Sequence, residues 1–174
     1  MKRILALLLV GALCLSASCA LAQTVTLTEH ASAFDVTIDL PDDATVSVET
    51  FDDVPYTFIT FADPEQPLLY ISIAPTEEYD QTELKDLTEE EMERLFLTVS
   101  ADMDSPSYTL EQTAGGYDYM LVQDDSETDS EMMIMLHGGF FLQLSVWDVN
   151  YSVLTDADTQ TATDLLDTLA IIPA

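Results

Sequence analysis

Three consecutive apolar runs, separated only by turn residues, constrain this chain most. Tyr-Asp-Tyr-Met-Leu-Val-Gln occupies 117–123, Glu-Met-Met-Ile-Met-Leu-His occupies 131–137, and Phe-Phe-Leu-Gln-Leu-Ser-Val-Trp occupies 140–147. An acidic turn divides the first pair and Gly138-Gly139 the second. Short runs rich in aromatic and aliphatic side chains, bounded by turn residues, are the pattern of successive antiparallel strands. The rest of the chain has to pack against them.

Upstream the period is also two. Phe-Asp-Val-Thr-Ile-Asp-Leu at 34–40 puts Phe34, Val36, Ile38 and Leu40 on one face and Asp35, Thr37 and Asp39 on the other, before Pro41-Asp42-Asp43 turns the chain. Residues 45–51 and 56–61 repeat the alternation across Asp52-Asp53-Val54-Pro55, and 68–74 is nearly continuous apolar sequence, as an interior strand requires. A short strand or arm at 24–28 precedes them. The N-terminal half therefore reads as a β meander.

The period then changes. Thr88-Glu89-Glu90-Glu91 is a capping box, and Met92, Leu95, Phe96 and Val99 follow at helical spacing, so a mid-chain helix begins after Thr88. A shorter helical turn is expected within 77–87, with Leu84 and Leu87 inward. Pro106 ends the helical region and 107–112 returns as a strand. A second helix is capped by Thr155 or Asp156 and carries Leu165, Leu166 and Leu169, with Ile171 and Ile172 tucked against the sheet before Pro173. The expected fold class is α+β: an antiparallel meander sheet packed with a mid-chain and a C-terminal helix. No internal repeat or linker divides residues 23–174, which read as a single domain.

Residues 1–22 read as a secretory signal peptide: Lys2-Arg3 forms the positive end, 4–15 the apolar core, and Ala20-Leu21-Ala22 the cleavage site ahead of Gln23. Neither Cys14 nor Cys19 has the small neighbourhood of a lipobox, so lipid anchoring is the minor alternative. No stretch is long enough to span a membrane. Both cysteines leave with the leader, so no disulfide holds the 152 residues that remain of 174 once 22 are removed. Those residues keep two cations, Lys85 and Arg94, against all 33 acidic residues, a net charge of −31. Such a charge excludes nucleic acid and anionic membranes as partners. The expected setting is extracellular, for a bacterial protein whose partner is another protein or a cell-envelope component.

The order of elements resembles that of the PsbP-like and DcrB-like proteins. The resemblance lies in the paired N-terminal strands, the mid-chain helix, the meander holding Gly-Tyr-Asp-Tyr-Met at 116–120 and Gly-Gly-Phe-Phe-Leu-Gln-Leu at 138–144, and the closing Leu-Leu-Asp-Thr-Leu-Ala-Ile-Ile at 165–172. It implies an α/β/α sandwich and a largely non-enzymatic accessory or binding role, with no catalytic residues to carry over.

Residue chemistry points the same way. His137 at a strand end reads first as a solvated turn histidine and second as a base or ligand, and His30 lies in a polar arm. No nucleophile elbow or phosphate-cradling loop is present. A carboxylate-dependent extracellular hydrolase is the alternative function, and no single pair stands out among so many acids. Phe141, Gln143, Ser145 and Trp147 share one face of their strand, a surface for sugar or peptide, although core burial between two helices is the commoner fate of such a face. No cofactor is expected beyond weak calcium. The oxygen-rich loop that offers Asp124, Asp125, Glu127, Asp129 and Glu131 is the candidate site, without the glycine of an EF-hand.

Overall fold

The alternation at Phe34–Leu40 becomes a strand in which Phe34, Val36, Ile38 and Leu40 are all buried. A computed structural model describes residues 23–27, 34–51, 54–76, 79, 83–124, 130–148 and 153–173. In order they form β1 (Gln23–Thr26), β2 (Phe34–Leu40), β3 (Ala44–Phe51), β4 (Val54–Phe61), β5 (Leu68–Pro75), α1 (Glu89–Val99), β6 (Pro106–Gln112), β7 (Asp118–Asp124), β8 (Ser130–His137), β9 (Phe140–Trp147), α2 (Asp156–Leu166) and β10 (Ala170–Pro173). The expected leader, the arm with His30 and the loop residues Asp125, Glu127 and Asp129 lie outside the described residues.

Two antiparallel sheets result, one ordered β1-β2-β10 and one ordered β3-β4-β5-β9-β8-β7-β6. The runs at 117–123, 131–137 and 140–147 form β7, β8 and β9, and β9 takes the centre of the large sheet through its pairing with β5. The β8–β9 hairpin is as short as a hairpin can be. His137 pairs with Phe140 across Gly138 and Gly139, whose φ values of 56° and 79° are those of a type I′ turn.

The α+β class and its α/β/α sandwich are corrected here. Of the described residues 53% lie in strands and 19% in helices, and the architecture is β-rich. The reason is the fate of two segments. Residues 23–40 leave the expected meander, and Ile171 and Ile172, expected only to tuck in, pair with Val36 and Asp35 as part of β10. A second sheet thus occupies much of the layer that the sandwich would have given to helices. One face of the large sheet, through Ile59, Leu69, Ile71, Leu144 and Val146, packs on β2 and on Ala162, Leu165 and Leu166 of α2 in one continuous core. Asp39 N donates to Thr168 Oγ1 at 2.9 Å and Ala114 N to Asp167 Oδ1 at 2.7 Å, which tie the end of α2 to β2 and to the β6–β7 turn.

The opposite face has a smaller core. Met92, Leu95 and Phe96 of α1 and Leu84 of a 3-10 turn (Leu84–Asp86) bury Met120, Val122, Ile134 and Leu136. The capping box forms as expected: Glu91 N donates to Thr88 Oγ1 at 3.3 Å and Thr88 N to Glu91 Oε2 at 2.8 Å. One helix cannot cover this face. Seven strands about 4.8 Å apart span roughly 29 Å, whereas a helix is about 10–12 Å wide. α1 sits on the β6–β8 side, and the face of β3, β4 and β5 has no counterpart in its cluster.

Candidate functional site

The face that α1 leaves is defined by strand register. Ile59, Leu69 and Ile71 point into the main core, so their neighbours Phe58 and Tyr70 must point the other way. Phe58 pairs directly with Tyr70, Tyr56 with Ser72, and Glu49 with Tyr56. On β9 the same face carries Phe141, Gln143, Ser145 and Trp147, because Gln143 pairs with Ser72 and Ser145 with Tyr70. The expectation of a helix on each side of β9 is corrected for the described residues: only Phe141 of this face joins the α1 cluster, and neither described helix covers Gln143, Ser145 and Trp147.

Four of those rings form a continuous run. Phe51 meets Tyr56 at a centroid distance of 5.6 Å, Tyr56 meets Tyr70 at 5.8 Å, and Tyr70 meets Phe58 at 5.8 Å, all edge-on or tilted. Offset geometries of this kind are the favoured ones for aromatic pairs. Phe51 is 51% exposed, and Tyr56, Phe58 and Tyr70 are half-buried. The rings shield a polar floor, where Ser72 and Ser145 are buried and Gln143 Nε2 donates to Ser145 Oγ at 2.8 Å. Ser47, Thr45 and Thr60 border the run. Glu49 is the one carboxylate at the face positions of β3, β4, β5 and β9.

The alternation within 140–147 marks the β9 half of this surface, whereas the ring run on β3, β4 and β5 is not among the sequence expectations. The signal was present: Phe51 pairs with Val54, which aligns Tyr56 and Phe58 with the outward side of β3.

The described loop carboxylates, Asp124 and Glu131, lie on opposite faces of the large sheet. Tyr119, Leu121 and Gln123 share one face of β7, and Gln123 Nε2 donates to Glu131 Oε1 at 2.9 Å, so Glu131 lies on the main-core face. Asp124, one residue on, is on the opposite face and accepts from Asp104 N and Ser105 N at 2.9 and 3.0 Å. Glu131 is 6% exposed and also accepts from Thr159 Oγ1 at 2.8 Å. The described members of the calcium candidate therefore do not converge. Among the described residues no group of three or more acidic or histidine side chains is placed to hold a metal ion.

His137 is packed rather than solvated. Its ring meets Phe34 edge-on at 5.2 Å and Tyr117 at 6.1 Å. Glu111 and Glu131 both line a cleft of about 310 Å³ beside α2, with Thr155, Thr159 and Thr163 among its walls. Glu111 accepts from Tyr119 Oη at 2.7 Å. Burial and that hydrogen bond push the Tyr119 hydroxyl well above the usual tyrosine range. A groove of about 550 Å³ between β2, β4 and α2 is lined by Asp39, Asp43, Asp164, Phe61 and Leu165. Asp39 accepts from Thr24 Oγ1 at 2.6 Å and Asp164 from Gln160 Nε2 at 2.7 Å, so two of its carboxylates already have protein donors. Among the described residues no helix is long and apolar enough to cross a membrane.

No protein family matches the chain, and no curated protein is similar to it. Among solved structures it is similar to that of LpqN, involved in cell envelope biogenesis of Mycobacterium tuberculosis, at 14% identity and a TM-score of 0.47, over 88% of this chain and 92% of that one.

Proposed function

We propose that the chain is a secreted, non-catalytic binding domain that acts at a cell surface or in a wall, and that the open half of its large sheet carries the binding. The observation behind this is the ring run from Phe51 through Tyr56 and Tyr70 to Phe58. Rings left half-exposed on a rigid sheet lose little entropy when they are covered, which is what binding surfaces use aromatic side chains for. Export rests on the leader at 1–22, and a cell-envelope component is the partner that an exported domain meets. The resemblance to PsbP-like and DcrB-like proteins stands behind the same accessory role.

The hydrolase alternative needs two carboxyls set across a substrate, one of them in an apolar pocket. Glu111 and Glu131 share a cleft, but each is held by donors of the protein itself, Tyr119 in one case and Gln123 and Thr159 in the other. That arrangement supports a structural role for both. The test is affinity capture from the envelope fraction of the producing cells, using the exported protein and its Phe51→Ala and Tyr70→Ala variants. Capture by the wild type that the variants lose is the expected result. Equal capture by all three forms, or none by any, would sink the reading.

A further inference from the structure

We infer that the occupant of the open face is a neutral polysaccharide, an assignment that rests on the binding role given to that face above. Charge is the first argument. The chain carries 33 acidic and four basic residues, yet the outward positions of β3, β4, β5 and β9 hold Glu49 as their one carboxylate and no cation. A basic protein would be drawn to the acidic surfaces elsewhere on the molecule, and a polyanion or an anionic lipid surface would be repelled by all of them. A second exported copy, with Lys85 and Arg94 against 33 acidic residues, would bring another formal charge of −31 to within contact distance. A neutral ligand is indifferent to that field, and an acid-poor surface is where it avoids competing with the hydration of carboxylates.

Chemistry is the second argument. The face alternates rings with neutral hydrogen-bonding groups: the hydroxyls of Tyr56 and Tyr70, Ser47 and Thr60 beside the run, and the Gln143 amide below it. A wholly apolar partner would strip water from the Tyr56 and Tyr70 hydroxyls and offer nothing in its place, whereas Thr60 Oγ1 and the Gln143 amide already donate within the protein, to Thr45 O and Ser145 Oγ. A sugar ring presents C–H groups on its faces and hydroxyls at its rim, so it covers an aromatic ring and satisfies the neighbouring polar groups together. Shape agrees. The surface is a sheet four strands wide, about 14 Å between its outer strands, and it suits several units of an extended chain better than one small molecule.

The experiment is affinity electrophoresis of the exported protein through gels holding a soluble β-glucan, a xylan, a mannan or starch, with alginate as the polyanionic control. At least one neutral polymer should retard the wild type and alginate should not. Phe51→Ala and Tyr70→Ala should each weaken the apparent association at least tenfold. Tyr70→Phe, which keeps the ring, should retain most of it, and Leu110→Ala, at an exposed position on the far edge strand β6, should match the wild type. Unchanged melting of Phe51→Ala would show that loss of retardation is not loss of fold. Failure of all the neutral polymers, or retardation that survives both ring removals, would overturn the assignment. So would a dimer in sedimentation that Phe51→Ala dissociates, since a second copy would then be the occupant. If the ring variants lose envelope capture while no neutral polymer binds, the binding role stands and the polysaccharide falls; if both assays are blank, both fall.

Discussion

Phe58 and Tyr70 stand opposite each other on β4 and β5, with ring centroids 5.8 Å apart and planes tilted by 46°. The pair is half-exposed, whereas the residues behind it, Ile59 and Leu69, are fully buried. One hairpin thus has a side committed to the core and a side that contributes little to holding the fold.

That division predicts a contrast in stability. Tyr70→Ala gives up cross-strand ring contacts worth on the order of 1 kcal/mol. Leu144→Ala, at a site with no exposed surface, leaves a cavity and should cost about 2–5 kcal/mol. Urea titration of the two variants with unchanged m values checks the ordering.

Glu131 predicts a second contrast. Its carboxylate accepts from Gln123 on β7 and from Thr159 on α2, and so joins the helix to the sheet. Glu131→Leu removes the acceptor shared by two half-buried donors and should destabilise by about 1 kcal/mol despite the added apolar surface. Glu131→Gln keeps one acceptor and should cost less. Denaturant midpoints of the two variants decide it.

At acid pH the α1 cap should weaken. The hydrogen bonds from the Thr88 hydroxyl and then from its backbone amide hold Glu91 below the usual glutamate range. A depressed carboxyl stabilises the folded state above its unfolded pKa and loses that contribution as pH falls through the folded value. The difference in melting temperature between wild type and Glu91→Gln should therefore be full at pH 7 and shrink as pH falls below about 4. A pH-independent difference would contradict this.

At alkaline pH the sign reverses. Burial, and then the hydrogen bond to Glu111, raises Tyr119, which is 2% exposed. Its contribution is fully present below the ordinary tyrosine pKa of about 10 and is lost as pH rises through the folded value. Wild type should lose stability relative to Tyr119→Phe above pH 10. Thermal melts of both proteins across that range make the comparison.

Salt should stabilise the protein, because carboxylates closer than the Debye length of about 8 Å repel at physiological ionic strength. Sodium chloride, magnesium and calcium at matched ionic strength separate screening from binding. Asp124 and Glu131 are held by separate protein donors, so the three salts should raise the melting temperature equally, and an increment specific to calcium would contradict screening as the cause. Melting temperatures in the three salts measure it.

Local pattern made the individual elements legible. The period of two at Phe34–Leu40, the capping box at Thr88 and the glycine pair at Gly138-Gly139 each produced the expected strand, helix start and tight hairpin. These features depend on residues within a few positions of one another, so the sequence by itself determined them, along with the charge. The partition into two sheets depends on pairing between β2 and β10, segments more than a hundred residues apart, and nothing local encodes that choice. The functional face was hidden for the same reason. Whether Tyr56, Phe58 and Tyr70 are core or surface turns on where α1 docks, and one helix of 11 residues is too narrow to cover seven strands. Only the tertiary structure decides which half of the sheet goes uncovered, because that is set by the fit of Met92, Leu95 and Phe96 against Met120, Val122, Ile134 and Leu136.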